Sequence, residues 1–223
     1  MPRSALASVF AVVGAMVLII GVALLVVRPW ESAAPAVPVA SEQPSGPPPA
    51  LVEESTHILN DAGPEAPVLV EFLDFECPAC GAFHPIVDDL EERYGDELTI
   101  AVRYFPLPSH PNAVPAALAA EAAAQQDAFA PMHDLLFERQ QDWSGAPDAD
   151  ATFRGYAEEL GLDLAAYDTA VADDATLERV ALDANAGIAL GVQSTPTFFL
   201  DGEQLQLERL EDLEAAVQAS LAG

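Results

Sequence analysis

From residue 5 to residue 27 the chain reads "ALASVFAVVGAMVLIIGVALLVV", 23 positions without a charge. As a helix this run is roughly 35 Å long, enough to cross a hydrocarbon core of about 30 Å with some tilt. A secretory signal has a shorter apolar region, about 7 to 15 residues. The pattern therefore predicts an uncleaved N-terminal transmembrane anchor over residues 1–28, although the small residues of "ESAAPAVPVA" leave cleavage open. Arg3 and the α-amino group stand before the run, and Arg28, Trp30 and Glu31 after it. That flanking leans towards the N-terminus inside and the rest outside. Residues 29–56, rich in Pro, Ala and Ser, lose all apolar periodicity and predict a disordered linker. Its reach is roughly 30 Å as a coil and about 80 Å fully extended.

The pattern changes near residue 57, the predicted start of a folded domain, 57–223. "PVLVEFLDF" (67–75) is a short β-branched and aromatic run, a buried strand. "PACGAFHPIVDDLEERYG" is helical, with Pro78 suited to the first turn, a kink expected at Pro85 and Gly95 as the stop. "ELTIAVRYFPL" (97–107) is a second strand, which makes a βαβ unit with parallel strands. Between residues 111 and 191, five segments place apolar residues three and four apart. One crossover needs only one helix, so a helical insertion is expected over about 108–191. "TPTFFL-DG-EQLQL" is a hairpin about Asp201-Gly202, and "RLEDLEAAVQASL" is a final helix with Leu210, Leu213, Val217 and Leu221 along one face. Trp143 and the helical aromatics read as core.

Composition changes the picture in one respect. The 223 residues carry 36 acidic and 8 basic side chains, a net charge of −28, with no lysine. Such a surface repels a phosphate backbone, so nucleic acid is excluded as a partner. The acid excess otherwise reads as a solvated, self-repelling surface.

The chain holds two cysteines, Cys77 and Cys80, at the junction of the first strand with its helix. Three residues apart on a helix, they share one face. The unpaired N–H groups and positive dipole end of a helix N-terminus favour a thiolate, the nucleophile of thiol–disulfide exchange. Cys77, at the mouth, is the expected attacking sulfur. Cys80, one turn in, is the expected resolving sulfur. A structural Cys77–Cys80 disulfide would close a small loop and stabilise little. A metal site usually has four ligands, and this chain offers Cys77, Cys80 and His84. That metal-binding or copper-delivery reading stays open beside the redox one. His110 reads as loop or cap structure, Asp74 as a local hydrogen-bond acceptor, and His57 and His133 carry no signal. Thr195-Pro196, directly before "TFFL", is a candidate cis peptide.

"VEFLDFECPACGAFHP", "RYFPLPSHPNAVPAALAAEAAAQQDAFAPMHDLLF" and "GVQSTPTFFLDG" together resemble the DsbA-like group of the thioredoxin superfamily, in its membrane-anchored or secreted bacterial form. The resemblance spans about residues 57–221. It implies an α/β thioredoxin fold with an inserted helical subdomain, preceded here by the anchor and the Pro-rich linker. It also implies dithiol–disulfide exchange on exported cysteine-containing polypeptides, with no cofactor. By the same resemblance, Pro196 is the cis proline facing the dithiol, Thr195 touches the disulfide and the substrate backbone, and Glu71 is a buried acid able to take or relay the proton of Cys80. Two features depart from the strong oxidant DsbA. The dipeptide between the cysteines is Pro78-Ala79 rather than one ending in histidine, and Glu76 precedes Cys77 with a negative charge. Both push towards a less oxidising pair.

The expectation is thus a single-pass cell-membrane protein with its C-terminal domain extracytoplasmic, donating disulfides through Cys77–Cys80. The resemblance supplies a membrane redox partner, DsbB-like or vitamin-K-epoxide-reductase-like. A tethered reductase or isomerase is the alternative.

Overall fold

The computed structural model describes residue 37 and residues 49–223. The predicted anchor and most of the predicted linker lie outside the described residues. Among the described residues no helix is long and apolar enough to cross a membrane.

The run "VLVEFL" forms β2 (Val68–Leu73) and "TIAVRY" forms β3 (Thr99–Tyr104). The two are parallel, in register from Val68 opposite Thr99 to Leu73 opposite Tyr104, as the βαβ reading requires. The helix joining them, α1 (Pro78–Tyr94), starts with proline in its first turn and continues through Pro85 to its end at Tyr94. β4 (Thr197–Leu200) lies antiparallel to β2, and β5 (Glu203–Gln204) antiparallel to β4. The turn between them has φ 50° at Asp201 and 89° at Gly202, the paired positive values that a tight hairpin demands. A further strand, β1 (His57–Asn60), lies antiparallel to β3 with an irregular register between Ile58 and Asn60. The sheet is mixed, in the order β1-β3-β2-β4-β5.

Period-two alternation decides what each face covers. Leu69, Ile100, Phe198 and Leu200 meet Val87 and Leu90 of α1 and Leu213 and Val217 of the last helix, α8 (Glu211–Leu221). Val70, Phe72, Ala101 and Phe199 face the other way, towards Phe105 and Val192. Glu71 falls in step with Leu69, so it shares the α1 face.

Between β3 and β4 the chain forms six helices where the pattern predicted five. They are α2 (Ala113–Ala124), α3 (Phe129–Glu138), α4 (Gln140–Trp143), α5 (Asp150–Glu159), α6 (Leu164–Val171) and α7 (Asp174–Ala189). The additional one is the single turn "QQDW", too short to show a period. Seven alanines of α2 are buried, and their size lets the neighbouring helices approach closely. On α7, a Cβ at Gly187 would stand 2.7 Å from the Phe105 ring and 3.1 Å from Phe72, so glycine is what lets this helix lie against the sheet.

Candidate active site

β2 ends at Leu73, and Asp74, Phe75 and Glu76 turn the chain into α1. Cys77 is the N-cap residue of α1, with extended φ −70° and ψ 121°. Pro78 and Ala79 are exposed on the rim, whereas Cys77 is 6 % exposed and Cys80 fully enclosed. Cys77 is therefore less open than its place at the helix mouth suggested, but it remains the outer sulfur. Both residues are free thiols in this structure.

The environments drive the two thiols apart. The pKa of Cys77 falls from an ordinary 9.0 to about 5. The hydrogen bond from Cys80 contributes most, against an opposing push from burial; the Thr195 side chain and the backbone N–H groups of Cys80 and Ala79 lower it further. Cys80 moves well above its ordinary value, first through burial, then through the bond to Cys77 and the charge of Glu71. Thr195 supplies two groups. The Cys77 thiol donates to its carbonyl at 3.3 Å. Its buried hydroxyl has no hydrogen-bond partner among the described residues, so it is free to donate to a thiolate. Thr195–Pro196 is a cis peptide, as the X-Pro position suggested. A shallow cleft beside Pro196 is lined by Phe83, Ser194, Phe198, Leu205 and Leu207.

Beneath the sulfurs lies Glu71, 3 % exposed, its pKa raised from 4.5 to about 8 by burial and then by the charges of Cys77 and Asp88. The structure thus brings Cys77, Cys80, Glu71, Thr195 and Pro196 together from β2, α1 and the loop before β4. Asp74 accepts hydrogen bonds from the backbone N–H of Glu76 (2.8 Å) and Leu107 (2.8 Å), and its Oδ2 lies 2.7 Å from His110 Nδ1. Asp74 and His110 are the local acceptor and loop residue expected of them.

Glu76 differs from expectation. Its carboxylate is turned into the joint with the helical insertion, where it accepts from Asn112 N (2.5 Å), Asn112 Nδ2 (3.2 Å) and Gly145 N (2.7 Å). It is a clamp, and it is not among the largest influences on the Cys77 pKa.

Gln140, on the short α4, was not anticipated at all. Its Nε2 donates to the carbonyls of Phe75 (2.7 Å) and Cys77 (2.9 Å), fixing the dithiol turn from 63 residues away. It fits because Gly81 leaves room: a Cβ there would stand 2.6 Å from Gln140 Oε1.

Two histidines also gain roles. His57 stacks on Phe129 at 3.9 Å and binds Glu121 (2.7 Å) and Tyr104 (3.0 Å), fastening β1 to the insertion. His84 meets His133 and Asp134 instead of forming a ligand set with Cys77 and Cys80. Burial, and then the charge of His133, lowers its pKa to about 4, so its imidazole is neutral at pH 7.

Residues 62–219 match the family model of thioredoxin. The chain is 38% identical to the Na(+)/H(+) antiporter NhaA of Herminiimonas arsenicoxydans over 79% of its own length and 26% of that protein. It is 42% identical to NhaA 3 of Salinispora tropica over 71% of its length and 24% of that protein. It thus spans about a quarter of the length of these curated relatives. Among solved structures, oxidised BdbD from Bacillus subtilis superposes with a TM-score of 0.67 at 20% identity, covering 76% of this chain and 95% of that one. Wolbachia pipientis alpha-DsbA1 gives 0.64 at 19%, covering 77% and 93%. A thioredoxin-like oxidoreductase from Silicibacter pomeroyi gives 0.63 at 23%, covering 77% and 95%. With a mixed sheet, a helical insertion and Cys-Pro-Ala-Cys at a helix start, the chain belongs to the thioredoxin family.

Proposed function

We propose that this protein is a thiol–disulfide oxidoreductase, held outside the cytoplasmic membrane by residues 1–28, that donates disulfides to exported polypeptides. One observation carries the reading: Cys77 at the head of α1 has its pKa lowered to about 5, while enclosed Cys80 is pushed well above 9. In the oxidised state a substrate thiolate attacks Cys77 Sγ, and the Cys77–Cys80 bond breaks with its electron pair on Cys80. Glu71, protonated up to about pH 8, supplies the proton that Cys80 requires. A second substrate thiolate then attacks the substrate sulfur of the mixed disulfide and expels Cys77 as a stabilised thiolate. Low thiol pKa makes a good leaving group, and a stabilised reduced form makes an oxidising pair. The substrate is oxidised by two electrons, and the enzyme dithiol returns them to a membrane oxidase of the DsbB-like or vitamin-K-epoxide-reductase-like class.

Ala79 still removes one thiolate-stabilising side chain, but Glu76 no longer argues against an oxidant. The Pro196 cleft, beside Phe83 and Leu205, is where the substrate backbone lies in this reading. The antiporter activity named in the curated relatives is not extended to this chain.

Cys80→Ala tests the roles. With a reduced unfolded substrate carrying a single cysteine, offered after activation of Cys77 as a mixed disulfide with glutathione, the variant should exchange that partner and accumulate a substrate-linked species, whereas Cys77→Ser should form none. A trapped species in Cys77→Ser would reverse the assignment.

A further inference from the structure

One turn beyond Cys80, α1 and α3 bring together groups that the dithiol chemistry does not use. The His84 and His133 rings lie 5.3 Å apart, and one ligand atom from each of His84, His133 and Asp134 lies within 4.8 Å of the others. His84 is 7 % exposed, and its Nδ1 has no hydrogen-bond partner among the described residues. Its Nε2 faces Asp88 Oδ2 at 3.4 Å, and His133 Nδ1 faces Asp134 Oδ1 at 3.0 Å. Asp88 and Asp134 are each 51% exposed on their side chains, so the cluster opens to solvent on its carboxylate side.

We propose that His84, His133 and Asp134 form a binding site for a divalent transition-metal ion of the zinc class, separate from Cys77 and Cys80. The donor set decides the class. Two imidazole nitrogens select zinc, cobalt or nickel over calcium and magnesium, which take oxygen ligands. Bonds of about 2.0–2.1 Å put tetrahedral ligands roughly 3.3 Å apart, so the atoms must draw in by up to about 1.5 Å. Half-exposed Asp134 is free to make its share of that movement. An unpartnered buried ring nitrogen is costly in a merely structural histidine; as a ligand atom it has a partner. The bound ion would tie the helix that carries Cys80 to the insertion.

The test uses the full chain in detergent with Cys77–Cys80 oxidised, so that thiols cannot ligate. Zinc is titrated by calorimetry and cobalt by its visible absorption. One saturable ion per chain is expected, with imidazole-type cobalt bands and no displacement by excess calcium. Asp134→Asn, a surface change that leaves the fold intact by circular dichroism, should weaken binding at least tenfold. His133→Asn should abolish it. No saturable site, displacement by calcium, or affinity that changes less than tenfold in folded Asp134→Asn would each overturn the proposal, because binding would then belong to the general acidic surface or to nothing.

Discussion

At the scale of single residues, two titrating groups run against each other. The Glu71 carboxyl has an ordinary pKa of 4.5, and about 8 when folded. Between those values the folded state keeps a proton that the unfolded chain has released, so its contribution to stability is full below 4.5 and is lost as pH rises through 8. Cys77 in the reduced protein behaves oppositely. Its folded pKa of about 5 lies below an ordinary 9.0, so its contribution is present above 9 and is lost as pH falls through 5. The oxidised protein isolates Glu71, whose main perturbation is burial. Relative to the oxidised parent, Glu71→Gln should be more stable at about pH 8.5 than at about pH 5, by about 2–4 kcal/mol, read from denaturant midpoints. Parallel pH profiles would remove Glu71 from the proton path. In the reduced protein, Cys80→Ala deletes the hydrogen bond that does most to lower Cys77, so the ultraviolet thiolate titration should move up from about 5 towards the ordinary value. The dithiol was legible in the sequence because strand, turn and helix start are contiguous there. The turn of Glu76 towards Asn112 and Gly145 was not, because its partners lie 36 and 69 residues away and nothing local marks them.

Elements are held by pairs that pattern alone could not join. Arg103 of β3 and Asp183 of α7 are both wholly buried and meet at 2.7 Å. Arg179 adds a second contact to Asp183 at 2.8 Å, and Tyr104 N donates to it at 3.2 Å. The same two arginines reach back along the chain: Arg103 donates to the carbonyls of Ala50 (2.9 Å) and Leu51 (3.3 Å), and Arg179 to that of Ser55. Asp183→Asn leaves Arg103 charged and without its carboxylate, and should cost about 3–5 kcal/mol in chemical denaturation. A loss under about 1 kcal/mol would show that the pair does not hold α7 to the sheet. Gln140→Ala strips two carbonyls of the dithiol turn of their side-chain donor and should cost about 1–3 kcal/mol. Its dithiol should also react faster with a bulky alkylating probe as the turn loosens; an unchanged rate would make Gln140 an ordinary surface contact. Long periodic helices and the Asp201-Gly202 turn declared themselves because their signals are local. β1 did not, since "HILN" has neither alternation nor length and is a strand only because β3 lies beside it.

The whole molecule combines a net charge of −28 and two cysteines with, among the described residues, one sheet and one insertion. With no other thiol in the chain, no competing internal disulfide can form, and exchange is confined to Cys77 and Cys80. A tether through residues 1–28 predicts that the full chain sediments with membranes and that a form starting after residue 28 does not. The reading stands or falls on which way electrons move. The most direct measurement is the reduction potential of Cys77/Cys80 in the full chain, equilibrated with glutathione and read by alkylation of the free thiols. A lowered Cys77 pKa and a Glu76 turned away predict a value between about −120 and −180 mV, the disulfide-donating end of the scale. A value near about −270 mV, where thioredoxin lies, would contradict the account and make this protein a reductase.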